Sequence, residues 1–360
     1  MAGHSAASIE QFRDEMLQQL ARRPSQLSRG AQFESAEAKP RTLPPVALGL
    51  SGSRETGNTL AIRVQGTGQA GLREAERVKA EAEKRGIVVD FAAIEEAYIP
   101  RKEDLTGLPG HPVLSSTPEQ HHLGLSIGHA NGGAGTLGCF VSLGDIVALV
   151  SCCHVLVPDD HFIGASSLTP PPIRIHQPGR PELEIPGGHT HIATLRDSYV
   201  EFSTEGNRID AAIAALTHPE RCAGNLLPHG VGCPFEGRFL AGVVDLSDVD
   251  ARESMLGTRV GKIGRTTGYT EGTLTALSLT PVVVNSRALG ARISFEQAIE
   301  VSWDVEKPFT EPGDSGAAVF TTDGLQAVGL HFCSPRKGGR SYACPLYRVL
   351  REFRAELFTP

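Results

Sequence analysis

The chain has 360 residues, 40% hydrophobic and 21% charged, which is enough apolar material for a large core and too little charge for a disordered chain. Lys and Arg number 34 against 41 Asp and Glu, a formal net charge of −7, and no basic run is long enough to track phosphates, which argues against nucleic acid and anionic membrane as partners. Forty Gly and 24 Pro favour many short elements joined by turns, and the length favours two domains or one large β unit with an appendage.

Residues 6–23 place Ile9, Phe12, Met16 and Leu20 at spacings of three and four, the apolar face of a short helix. Residues 24–45 are polar, close with Pro40, Pro44 and Pro45, and read as a linker, so that residues 1–45 form a helix and tether. Residues 1–21 carry Glu10, Asp14 and Glu15 and do not read as a secretory signal. No segment approaches the roughly 20 apolar residues that span a bilayer.

Residues 46–105 read as a small α/β unit: VALGL, the strand-like TLAIRVQ, a helix over 72–85 ended by Gly86, and then the strand IVVDFA. A Pro- and Gly-rich passage follows. Residues 126–360 contain repeated short apolar runs (TLGCFVSL, DIVALVS, AAIAAL, FLAGVVDL, GTLTALSL, GAAVFTT, QAVGLHF), punctuated at roughly the 8–12-residue interval of an all-β barrel or sandwich. Residues 345–357 read as a closing helix. The seven cysteines, Cys139, Cys152, Cys153, Cys222, Cys233, Cys333 and Cys344, are odd in number and contain no CxxC. They read as mostly reduced thiols in a reducing cytoplasm.

Three strings in this last segment carry chemistry. Ser151-Cys152-Cys153-His154 sets a histidine after an apolar strand, Arg208-Ile209-Asp210-Ala211 leads an aspartate into a buried run, and Glu311-Pro312-Gly313-Asp314-Ser315-Gly316 brackets a serine with glycines. A serine hydroxyl needs a base, which His154 can provide. Asp210 would orient that imidazole and stabilise its charged form. The Gly313 and Ser315 amides would receive the oxyanion. Singly, each string reads as a structural histidine, a cap or a turn, whereas the three together in a β-rich chain read as a catalytic triad.

The order His, Asp, Ser with Gly-Asp-Ser-Gly resembles the chymotrypsin-like (trypsin-like) serine peptidases. The stretches SIGHANGGAGTLGCFV, LVSCCHVL, DAAIAAL, VGKIGRTTGYTEGTLTAL and EPGDSGAAVF, with the preceding α/β unit, resemble a bacterial branch similar to plant NARROW LEAF-type proteins. The resemblance implies a mainly β fold of two six-stranded antiparallel barrels over 126–360, with His154 and Asp210 on the first and Ser315 on the second. It implies a substrate pocket near Phe309, His331, Phe332, Cys333 and Ser334. Phe309 stands where trypsin has its selecting carboxylate, so trypsin specificity is not expected. No Arg-Ile-Val-Gly-Gly activation site precedes the barrel, so either other contacts place Asp314 or the oxyanion hole stays unformed until something binds.

The expected function is a cytoplasmic serine endopeptidase that cleaves a protein or peptide substrate without cofactor or metal, controlled by an activating protein partner bound through residues 1–105. By analogy with bacterial relatives, it would belong to an anti-phage defence system. The rival is a catalytically silent binding or scaffold module. Other signals compete. Gly66-Thr67-Gly68-Gln69-Ala70-Gly71 with Asp90 fits a dinucleotide fingerprint, Gly124-Leu125-Ser126-Ile127-Gly128 fits a hydrolase elbow, and His189 and His191 with His161 and His176 offer zinc ligands. Cys152 and Cys153 offer thiol nucleophiles, without a glycine loop to serve them.

Overall fold

The computed structural model describes residues 3–22, 45–53, 56–66, 68–100, 102–105, 108–129, 132–158, 172–179, 190–195, 202–203, 205–286, 290–304 and 306–359. Residues 24–44 of the expected linker lie outside that set, as do His161 and His189. None of the described helices is long and apolar enough to cross a membrane.

Helix α1 (Ala6–Arg22) buries Ile9, Phe12 and Met16 against the hairpin of β1 (Val46–Ser53) and β2 (Gly57–Gln65). From β2 the chain crosses through α2 (Gln69–Lys84) to β3 (Val89–Ile94), parallel to β2, because parallel neighbours need a crossover rather than a tight turn. Next come β4 (Ala97–Ile99) and the short α3 (Lys102–Leu105).

The first large sheet comprises β5 (Ser126–His129), β6 (Gly135–Thr136), β7 (Cys139–Leu143), β8 (Ile146–Ser151), β9 (Ile173–Gln177), β10 (Thr190–Leu195) and β11 (Ala212–Leu216), with the single-turn helix α4 (Cys153–Leu156) after β8. Its order is β7-β8-β11-β10-β9-β5-β6. The two ends of that path, β6 and β7, are separated only by Leu137 and Gly138. The sheet therefore curls until its ends meet in one length of chain instead of along a hydrogen-bonded seam.

The remaining elements are β12 (Gly242–Val243), α5 (Val249–Met255), β13 (Arg259–Gly264), β14 (Gly268–Thr280), β15 (Val282–Ser286), β16 (Ala291–Phe295), β17 (Ala298–Ser302), β18 (Ala318–Thr321), β19 (Gln326–Cys333), β20 (Arg340–Pro345), α6 (Leu346–Phe353) and β21 (Glu356–Leu357). Strands β13, β14, β17, β20, β19 and β18 pair antiparallel in that cyclic order, and β18 returns to β13, so this ring closes by hydrogen bonds. The fold is mainly β, one closed six-stranded barrel beside a curled one, with the helix α1 at its start. The closing helix is shorter than the pattern of residues 345–357 suggests. Arg354 turns left-handed at φ 53°, and Glu356–Leu357 becomes β21 on the edge of β7.

The N-terminal unit continues the second barrel. Strand β1 pairs with β14, and β4 pairs with β15. Across this junction the buried Arg63 guanidinium gives two hydrogen bonds of 2.9 Å to Glu300 on β17, one of 2.6 Å to the Asp90 carboxylate and one of 2.8 Å to the Asp90 carbonyl. Both members of the Arg63–Glu300 pair are buried, and a buried charge left alone costs more than the pair contributes. Arg63→Met should therefore lower unfolding stability by roughly 3–5 kcal/mol in denaturant titration, and adding Glu300→Met should restore part of that loss.

Candidate active site

Antiparallel register brings the proposed base and its carboxylate together. Ala212 on β11 faces Ser151 on β8, so residues just before one strand and just after the other emerge at the same end. There His154 Nδ1 lies 2.5 Å from Asp210 Oδ2, and the His154 amide donates to Asp210 Oδ1 at 3.3 Å. The Asp210 side chain is fully buried and the His154 side chain is 6% exposed. His154 Nε2 has no partner among the described residues.

Ser315 belongs to the second barrel, on the turn that leads into β18. Gly313 sits at φ +103°, a conformation that side chains resist. The Asp314 carboxylate, at 0% exposure, accepts from Lys262 Nζ at 2.9 Å, Thr267 Oγ1 at 2.7 Å, and the amides of Thr266, Thr267 and Glu311. Burial alone would raise its pKa, but the Lys262 charge and these donors outweigh burial and hold it below the ordinary carboxylate range. The contact that sequence left open for Asp314 is thus an internal ammonium. Among the described residues no acceptor takes the Gly313 or Ser315 amide.

Several bonds join the serine loop to the first barrel. Thr136 donates its amide to the Ser315 carbonyl at 2.8 Å and its hydroxyl to the Gly313 carbonyl at 3.0 Å. The His331 carbonyl accepts from the Gly316 amide at 2.8 Å and from Cys152 Sγ at 3.1 Å, linking the residue after the serine to one just before the histidine. At Gly316 a Cβ would lie 2.1 Å from Ser151 Oγ. At Gly135 it would meet Val155 at 2.4 Å and the Ser315 carbonyl at 2.9 Å. The flanks of His154 and Ser315 are thus in direct apposition across glycine. The Ser315 hydroxyl itself donates to the Phe332 carbonyl at 3.4 Å.

The expected pocket residues are mostly interior. Phe309, His331, Phe332 and Cys333 are buried. Phe309 stacks near Trp303, and Phe332 lies 4.5 Å from the Phe295 ring. Ser334 is half-buried, and its carbonyl accepts from the Tyr98 amide. His331 Nε2 meets Thr310 Oγ1 and Nδ1 meets Ser341 Oγ, each at 2.8 Å. Burial, helped by the Lys262 charge, pushes its pKa down to about 3. Lys262, Thr136, Thr310 and Ser341 were not singled out in the sequence. The one available signal was Lys262, a lone cation inside the apolar strand run VGKIG.

The competing motifs resolve differently. Asp90 is held by Arg63, and Gly71 serves packing, since a Cβ there would lie 3.0 Å from Pro45. Ser126 lies inside β5, buried, and accepts the Gly179 amide rather than standing on an elbow. The rings of His176 and His191 are 6.0 Å apart, and His191 Nε2 bonds Thr194 Oγ1. Cys152, His154 and Asp210 bring ligand atoms within 4.8 Å of one another. Burial and the Asp210 charge raise the Cys152 thiol well above its ordinary pKa, in keeping with its donation to the His331 carbonyl.

No protein-family model and no curated protein matches the chain. Among solved structures it is similar to a glutamic acid specific serine protease, with 18% identity, 66% of this chain and 100% of that one covered, and a TM-score of 0.45. It is also similar to Thermobifida fusca protease A (18% identity, 67% and 100% covered, TM-score 0.42) and Cellulomonas bogoriensis chymotrypsin (20%, 67% and 100%, 0.41). This is a likeness to chymotrypsin-like serine proteases at low identity.

Two predictions follow the geometry. Lys262→Met leaves the Asp314 charge buried without its cation and should cost roughly 3–5 kcal/mol in chemical denaturation. The lowered His331 pKa means that the unfolded chain binds this proton first as pH falls. Its contribution to stability should be intact above the unfolded value of 6.5 and decline between there and about 3. A His331→Gln chain should show a flatter stability profile across that window.

Proposed function

We propose that this protein is a serine endopeptidase that hydrolyses a protein target through Ser315, His154 and Asp210. The observation that carries the reading is the Asp210–His154 bond beside a serine loop whose Gly313 and Ser315 amides are uncommitted. As substrate enters, rotation about the Ser315 side chain moves its hydroxyl from the Phe332 carbonyl to the unpartnered His154 Nε2. His154 takes the proton while the oxygen attacks the scissile carbonyl, and Asp210 stabilises the imidazolium. The Gly313 and Ser315 amides receive the developing oxyanion. His154 then protonates the leaving amine, and water, activated by the same imidazole, releases the acyl group.

The loop that supplies those amides is held by Lys262, so the reading requires no newly freed N-terminal amine. It includes a reducing cytoplasm, which seven free cysteines suit. It also includes a protein partner acting through residues 1–105, whose described strands extend the barrel that carries Ser315. The Ser315–Phe332 bond, in place of one to His154, favours the second reading, a silent binding module.

A fluorophosphonate probe separates the two. Labelling at Ser315 is expected, absent in Ser315→Ala, slowed by several orders of magnitude in His154→Ala, and retained in Cys152→Ala. Labelling that persists in Ser315→Ala overturns the assignment.

A further inference from the structure

A cavity of about 580 Å³ opens where α1, α5 and α6 meet the segment that leads to Asp210, and neither His154 nor Ser315 lines it. Six arginines do: Arg13, Arg208, Arg252, Arg348, Arg351 and Arg354, with Glu352 the one carboxylate among its walls. That concentration stands against a net charge of −7 for the chain. Every cation is arginine, whose planar fork grips phosphate in pairs of hydrogen bonds where lysine offers a point charge. The volume suits a small molecule.

Some of this charge is already balanced. Glu10 takes Arg252 in two bonds of 2.8 and 2.6 Å and reaches Arg13 at 3.3 Å. Asp14 pairs with Arg13, Asp245 pairs with Arg351 at 2.8 Å, and Glu296 approaches Arg208 at 4.0 Å. Arg348 gives its Nε to the Tyr347 hydroxyl, and among the described residues no carboxylate pairs with Arg348 or Arg354. Arg351 and Arg354 close α6 and suit its C-terminal dipole, but Arg13 and Arg208 come from other elements and gain nothing from that helix.

Backbone strain gathers at the same place. Among the described residues four non-glycine residues are left-handed, and three of them, Ser278 (φ 54°), Gln297 (φ 56°) and Arg354 (φ 53°), line this cavity. Such conformations persist where the surroundings over-determine them, as at ligand sites. The walls also join at the proposed triad. Arg208 and Ile209 run directly into Asp210, whose amide donates to Cys344 Sγ at 3.2 Å, and Cys344 lies two residues before α6.

We propose that this cavity binds a small molecule carrying two or more phosphate groups, and that its occupancy is felt at Asp210. The second half rests on Asp210 being the partner of His154 in the proposed peptidase. A bound oligophosphate bridges α6 to the 208–210 segment and so acts on both walls that meet at the Asp210–Cys344 contact.

Titration calorimetry of the full chain with inorganic tripolyphosphate, and separately with ATP, tests the site. Saturable binding is expected, weakened by salt and weakened at least about tenfold in Arg348→Glu/Arg354→Glu. A Lys84→Glu control on the exposed face of α2 should leave it unchanged, and thermal melts check that each variant is folded. Binding of both ligands identifies the oligophosphate as the recognised group, and binding of ATP alone adds the nucleoside. No binding of either, or binding that survives the double variant, overturns the site. The link to Asp210 is read from the low-field proton NMR signal of His154 Nδ1, expected to shift as tripolyphosphate binds. Binding without that shift overturns the coupling. Because neither readout needs turnover, failure of fluorophosphonate labelling would count against the peptidase alone.

Discussion

An ammonium group with no exposure to water organises the loop that carries Ser315. Lys262 lies inside the closed barrel at 0% exposure and meets an equally buried Asp314 carboxylate. Neither charge is tolerable there without the other. The carboxylate accepts from three backbone amides as well, and those bonds fix the course of the chain from Glu311 to Ser315. With the loop so held, Thr136 and the His331 carbonyl can tie it to the other barrel. The placement of the Ser315 loop against the flank of His154 is therefore a consequence of packing around one ion pair, and the side chains that hold the loop are neither Ser315 nor His154.

That hierarchy explains what could be read in advance. His154, Asp210 and Ser315 stand out in the sequence because each sits near a strand terminus marked by an apolar run on one side and by small or turn residues on the other. The meeting of His154 and Asp210 depends instead on the long-range antiparallel pairing of β8 with β11, which places both at one end of the sheet. Lys262 left only a faint trace, a lone cation in an apolar run, because a lysine in a strand ordinarily faces solvent and its partner Asp314 lies 52 residues away. Thr310 and Ser341 are equally silent until folding brings them to opposite nitrogens of His331. The expected pocket suffered for the same reason: residues 331–333 read as a wall, whereas their side chains are mostly spent on the barrel interior.

The N-terminal unit shows the opposite failure, a motif present without its context. A glycine-rich turn between strand and helix is what a dinucleotide site requires, but also what close helix–strand packing requires, and Gly71 answers to the second need. The acidic residue at the fitting distance belongs to an arginine, and that arginine belongs to the barrel. The pairing of β1 with β14 joins residues far apart in the chain, which no window of local periodicity contains.

One practical corollary concerns how small a working version of this molecule can be made. A cut at the conventional start of the barrel portion, near residue 126, would remove the β1 partner of β14 and strand Glu300 in the interior with its principal counter-charge gone. The segment that looks like a removable preface is masonry in the same ten-stranded sheet as β18.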